Sequence, residues 1–289
     1  MLIQLKNKYG VFELGGGNHP KARIIETEGF GLPSKELRSV TFEGQPGRVV
    51  NSCRDMERTI LISFDFFGDA NEVERFFKII YHPVEIVCFT AEGRRRTTGR
   101  CVNAFDVGNI IYNRFRSAAL QFVCDDPYFH DYKPLRLPIS QKFDKLPNKW
   151  EGGAWYIELP AVATVRTNNA VITNKGNTSV YPVVYIKTLK TAADSPESYG
   201  ITLSNNTTGK TVTLEYNMSP GEKITFDFPH RNITSSQSGN ITNKISDDTV
   251  LSDFFLDVGR NSIAVSSLNL NDDIRAEIEY TNNYITAVM

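Results

Sequence analysis

Apolar and polar positions alternate most cleanly around Arg58–Phe67, where Ile60, Ile62, Phe64 and Phe66 are interleaved with Leu61, Ser63 and Asp65. A period of two built from β-branched and aromatic residues predicts a strand with a buried face. The period then changes. Val73, Phe76, Phe77 and Ile80 recur at i, i+3, i+4 and i+7, a single apolar stripe that needs a sheet to cover it. Asp69 stands three residues before Glu72, a capping-box arrangement with Asp in place of Ser or Thr. Pro83 ends the helix, because it has no amide and pushes His82 out of the helical region. No other stretch offers an equally good amphipathic helix, so the pattern predicts a mainly β protein with one helix laid against it.

Ahead of this pair, residues Met1–Ile25 read as short strands broken by Gly15, Gly16 and Gly17. Phe30–Arg48 is rich in Gly and Pro with one alternating patch, Leu37–Phe42, and predicts a loop–strand–loop arm long enough to reach a neighbouring subunit. Behind the helix, Val84–Phe89 and Gly99–Phe105 read as paired strands joined through a hairpin tip at Ala91–Arg96. Asn109–Asn113 and Arg116–Val123 complete a meander. Pro127 closes that block, and Tyr128, Phe129 and Tyr132 follow as an aromatic plug beside a domain boundary.

From residue 134 to 160 the text reads as a linker punctuated by Pro and Gly. Beyond it, about nine short strands alternate with polar turns such as Asn174–Asn177, Asn205–Gly209 and Ser219–Gly221, which predicts an antiparallel sandwich or jelly roll. Asp253–Asp257 is one of those strands, and Pro229–Thr249, rich in Ser, Asn and Thr, reads as a long loop. The expected domains are therefore 1–133 and 161–289.

Composition narrows the function more than the fold. The 289 residues are long enough for two domains, and a formal net charge of −1 supplies no global field to recruit nucleic acid or a membrane. The N-terminus lacks the apolar core of a signal peptide, and no run approaches the length of a membrane helix. Cys53, Cys88, Cys101 and Cys124 contain no CxxC pair, and three of them sit in strand-like text, so they read as buried reduced thiols.

Candidate chemistry is sparse. The Gly15–Gly17 triplet lacks the Lys and Ser/Thr of a phosphate loop. Arg94, Arg95 and Arg96 offer charge without interleaved stacking aromatics, which favours a solvated or subunit-facing turn over nucleic acid. Trp150, Trp155 and Tyr156 could form a sugar platform or anchor the first strand of the second domain. The four histidines are scattered. Acidic doublets at Asp125-Asp126, Asp247-Asp248 and Asp272-Asp273 point to opposite faces when on a strand, so none aims two carboxylates at one bond. No catalytic, cofactor or metal residue is predicted.

The order of features in the first half resembles the N-terminal domain of phage distal tail proteins. The matching text is Gln45–Gly47, the strand from Arg58 running into Gly68, the short helix ending near Pro83, the Gly99-Arg100 pair, and Asp126–Phe129 after a Phe-containing strand. NKGNTSVYPVVYI from Asn174, NNTTGKTVTL from Asn205, PGEKITFD from Pro220 and VGRNSI from Val258 resemble the galectin-like C-terminal domain that many of these proteins carry. The resemblance implies an N-terminal sandwich or barrel-like domain with one helix, followed by a galectin-like jelly roll. It also implies a homo-hexameric ring at the distal end of the tail of a virion made in the host cytoplasm. Its partners would be the tail tube protein above and a baseplate hub, tail-associated lysin or tail fibre protein below, with no nucleic acid beyond the tube lumen, no membrane insertion and no cofactor. Gln45, Pro46, Gly47, Arg48, Arg94, Arg95 and Arg96 are the expected inter-subunit contacts. The alternative, a carbohydrate-binding module for host recognition, rests on the sandwich and on Trp150 and Trp155 as glycan contacts.

Overall fold

The computed structural model describes residues 2–16, 21–44, 46–104, 114–144, 164–188, 200–219, 221–267 and 274–287. The chain divides into two units, Met1–Lys133 with Asn283–Met289, and Pro134–Asn282. The polypeptide therefore leaves the first unit once and returns to it for its last residues.

Unit 1 begins with a hairpin, β1 (Leu2–Asn7) and β2 (Gly10–Gly15), followed by β3 (Ala22–Glu28), β4 (Lys35–Val40), β5 (Val49–Asp55) and β6 (Arg58–Phe67). Helix α1 (Ala70–Ile80) leads into β7 (Val84–Thr90), β8 (Gly93–Asn103), β9 (Arg114–Cys124) and β10 (Phe129–Asp131). The strands run in the order β2-β1-β7-β8-β9-β6-β3, all antiparallel. β8 is the hinge of this sheet. Its first residues pair with β7 and, through Arg95 and Arg96, with β10, whereas Arg100–Asn103 pair with β9. Ile3 and Leu5 at one end and Ile60, Ile62, Phe64 and Phe66 at the other join one buried cluster, so the sheet closes over itself as a sandwich.

The capping box forms as the sequence predicts: the Glu72 amide donates to Asp69 Oδ1 at 2.8 Å and the Asp69 amide donates to Glu72 Oε2 at 3.2 Å. Phe76 is fully buried, its ring 4.6 Å from Phe12 and 5.8 Å from Phe64, with Ile79 and Ile80 buried beside it. Val73 and Phe77 only border the core. Each fully buried side chain of this size contributes about 1.5–3 kcal/mol, which is how an 11-residue helix that would be marginal alone is held.

Unit 2 contains β11 (Leu135–Pro138), β12 (Gln141–Asp144), β13 (Thr164–Thr167), β14 (Asn169–Asn174), β15 (Val183–Thr188), β16 (Ile201–Asn205) and β17 (Lys210–Leu214). It continues with β18 (Lys223–Asp227), β19 (Asn232–Ser235), β20 (Gly239–Asn240), β21 (Gly259–Ser267) and β22 (Ile274–Tyr280). A six-stranded sheet, β11-β22-β15-β18-β19-β20, and a four-stranded sheet, β14-β21-β16-β17, share one core, while β12 and β13 pair separately. β22 shows the alternation directly: Ile274, Ala276, Ile278 and Tyr280 face the core, and Arg275 and Glu277 are exposed.

Three expectations change. Leu135–Pro138, read as linker, is an edge strand on β22. Pro229–Thr249, read as a loop, supplies β19 and β20, because Ile233 and Ile241 are buried and the carboxylate of buried Glu222 accepts from Ser235 Oγ, Tyr216 Oη at 2.8 Å and the Ser219 amide at 2.7 Å. Asp253–Asp257, read as a strand, is a 3-10 turn at Leu251–Asp253 followed by an isolated bridge from Leu256 to Val180.

Candidate assembly surface

Arg58 opens the strand that the hydrophobic pattern marks most strongly, yet its own side chain is buried. Among the described residues no carboxylate hydrogen-bonds it. Nε donates to the Pro127 carbonyl at 2.8 Å, Nη1 to the carbonyls of Gly29 at 2.5 Å and Gly31 at 2.8 Å, and Nη2 to that of Ile285 at 2.8 Å. Its guanidinium lies 4.5 Å over the Phe129 ring, which stacks on Phe30. Burial lowers the Arg58 pKa from its ordinary value, and the planar fork still satisfies four backbone acceptors from three segments at once. Gly29 is required there. It has φ +84°, and a Cβ would lie 2.0 Å from the Thr59 carbonyl oxygen.

The segment that Arg58 captures is the returning C-terminus. Asn283–Tyr284 pairs with β10, the Tyr284 hydroxyl donates to Asp131 at 3.1 Å, and the Ala287 amide donates to the Phe30 carbonyl at 2.9 Å. His130 bridges Asp126 and Asn283 at 2.9 Å each. Burial opposes ionisation of Asp126, but His130, the Tyr128 amide and the nearby Arg58 charge together outweigh it and hold the carboxyl below its usual range.

The three arginines lie in β8, past the turn, so alternation sends them to opposite faces. Arg95 donates to the Thr286 carbonyl at 2.7 Å and sits 4.0 Å over Tyr284, helping to hold the C-terminus. Arg96 donates to Glu85 at 2.8 Å and to the Asp131 carbonyl at 3.2 Å. Arg94 is exposed and lies 4.8 Å over Phe89. Neither the arginine clamp nor the C-terminal return was foreseen, and only the aromatic plug at Phe129 pointed towards them.

The Phe30–Arg48 arm is built as a hairpin. β4 pairs with β5 as a sheet of their own, joined to no other strand among the described residues. Leu37, Val40, Phe42, Val49 and Val50 are each 41–54% exposed. A lone two-stranded hairpin is marginal in water and leaves both backbone edges open; its base is tied to the unit where the Tyr128 hydroxyl donates to Asp55 at 2.6 Å, while its apolar side chains stay open to solvent. Pro46, Gly47 and Arg48 form the exposed approach to β5. Gln45, Trp150 and Trp155 lie outside the described residues.

Elsewhere, Cys88 and Cys124 are buried, Cys101 is half-buried and Cys53 is exposed on β5, all as free thiols. Burial pushes Cys88 up to about 12 and Cys124 up to about 11. Asp125 pairs loosely with Arg100 at 3.8 Å, while Asp126 turns to His130. No cluster of three or more His, Cys, Asp or Glu suited to a metal occurs among the described residues. On the outer face of the six-stranded sheet, Arg136 and Lys223 lie 4.6 and 4.3 Å over the Tyr185 ring.

Residues 175–284 match the family described as siphovirus-type tail component, C-terminal domain. The structure of the Dit protein of phage SPP1, described as a paradigm of the hub adsorption apparatus in phages infecting Gram-positive hosts, is similar with a TM-score of 0.61. The match covers 91% of this chain and 93% of that one at 14% identity. A chain from the activated baseplate of phage P2 is similar with a TM-score of 0.50 and 13% identity, covering 97% of both chains. No curated protein sequence matches the chain. Among the described residues the architecture is β-rich with a single α-helix, and the matched C-terminal segment supports a structural role in a phage tail. Over residues 175–284 the chain carries the siphovirus-type tail component domain, and its fold is similar to those of the two solved tail proteins.

Proposed function

We propose that the protein assembles as a closed ring of identical subunits, a hexamer, at the distal end of a phage tail. In this reading the ring joins the tail tube to a baseplate hub, tail-associated lysin or tail fibre protein. The observation that carries it is the β4–β5 hairpin, an arm that pairs with no other strand among the described residues and holds apolar side chains open to solvent. A head-to-tail contact, in which each arm lies on the next subunit, closes into a ring when the rotation between copies is a whole fraction of a turn. It buries the exposed valines and leucine and adds neighbours to the hairpin's open edges. Pro46, Gly47 and Arg48 belong to that contact, and Arg94, exposed on β8, is a second one. Arg95 and Arg96 are committed within unit 1. Unit 2 is in this reading a galectin-like domain.

The test is mass photometry and negative-stain imaging of the purified chain and of Val49→Asp/Val50→Asp. The expected result is rings for the natural chain and monomers for the variant, with unit 2 unfolding unchanged. Rings that persist in the variant would reject the hairpin as the closing contact.

A further inference from the structure

We propose that the β1–β2 turn and the C-terminal end of α1 form a docking site for an acidic segment of another protein, centred on Tyr81. Tyr81 is the helix C-cap and is 86% exposed, the most open large side chain among the described apolar and aromatic residues. It is also held in place. Its amide donates to the Phe77 carbonyl at 3.0 Å, and its ring meets His82 edge-on at 5.2 Å. His82 in turn stacks on Tyr9 at 4.3 Å. Asn7 ties the two elements together: Nδ2 donates to the Ile79 carbonyl at 2.8 Å, and Oδ1 accepts from the Tyr9 amide at 3.0 Å. The three rings thus form a platform ordered before any partner arrives, so little side-chain entropy remains to be lost on contact.

Three cations surround this platform. Lys8 and Lys78 lie 5.0 and 5.4 Å from the centre of the Tyr9 ring, and Arg75 reaches over the turn, its Nη2 3.1 Å from where a Gly10 Cβ would stand. None of the three enters an ion pair among the described residues, although Glu74 sits four positions before Lys78. In a chain whose formal charge is −1, an unneutralised cationic triad beside an open tyrosine is a local departure. The helix-end carbonyls of Phe77 and Ile79 already accept from Tyr81, His82 and Asn7, so the lysines are not spent on capping. Charge complementarity assigns carboxylates to the partner, and the tyrosine supplies the buried anchor typical of interface hot spots. A nucleic acid fits less well, since one face of Tyr9 is covered by His82 and the cations form a compact group instead of a track.

Replacing Tyr81 with the photo-crosslinking residue p-benzoylphenylalanine in the full chain, within assembled particles, tests the proposal. The expected product joins Tyr81's position to a segment of a different tail protein in which Asp and Glu outnumber Lys and Arg. Adding Lys8→Glu and Lys78→Glu should lower its yield about tenfold or more. No crosslink in complete tails, a crosslink to a second copy, to nucleic acid or to a neutral or basic segment, or a yield indifferent to the charge reversals would each overturn it. Imaging rings in the same particles reads the ring proposal separately.

Discussion

Replacing Arg58 with methionine keeps most of the buried volume and removes every donor. Four carbonyls, those of Gly29, Gly31, Pro127 and Ile285, then lose their charged partner inside the core. At about 1 kcal/mol for each carbonyl left unpaired, the loss is about 4 kcal/mol. Relief from burying the guanidinium, the same burial that lowers its pKa, returns part of this, leaving about 3 kcal/mol. That is a large share of a domain's stability. Because the chain has two units, a single global midpoint is the wrong readout. Hydrogen exchange resolved by peptide is the better one: protection should fall first across residues 283–287 and 29–31, with β14–β22 unchanged. A loss below about 1 kcal/mol in unit 1, or exchange that rises equally in both units, would refute the clamp.

Further outcomes follow from the same geometry. Truncation after Asn282 removes the strand that Arg58, Arg95 and His130 hold, so unit 1 should unfold at lower urea while unit 2 keeps its transition. Raising the pH should weaken unit 1 through its thiols: burial lifts Cys88 to about 12 and Cys124 to about 11 from an ordinary 9.0, so the folded state holds protons that the unfolded chain releases. Their contribution is complete below about pH 9 and is lost as pH climbs through 11 to 12, a slope that Cys88→Ala/Cys124→Ala should flatten in urea titrations. A thiol reagent at neutral pH should label exposed Cys53 well before Cys88 or Cys124, and equal rates would contradict the burial.

What the sequence disclosed and what it hid separate along a physical line. β6 and α1 were legible because both signals are local: alternation at Ile60–Phe66, a stripe at Val73–Ile80, and the Asp69/Glu72 cap. The packing detail differs, since Ile79 is buried where Phe77 only borders the core. β5 escaped notice because its strand is exposed almost throughout and carries a bulge against Arg38–Ser39, so it shows no period. β19 and β20 were hidden in a polar run whose order comes from Glu222 and two buried isoleucines, contacts made across the fold. Arg58 was legible as the start of a strand and illegible as a clamp, because its partners are carbonyls, which any residue possesses. Likewise Arg94, Arg95 and Arg96 look alike in a row, and only the pleat of β8 gives them different duties.

The ring contact itself is tested most directly by cryo-electron microscopy of tails carrying this chain, read at the β4–β5 hairpin. The account requires closed rings at the distal end in which each hairpin lies on the neighbouring subunit, covering Val49 and Val50. A hairpin folded back onto its own subunit, or a distal end containing this chain without a ring, would contradict it.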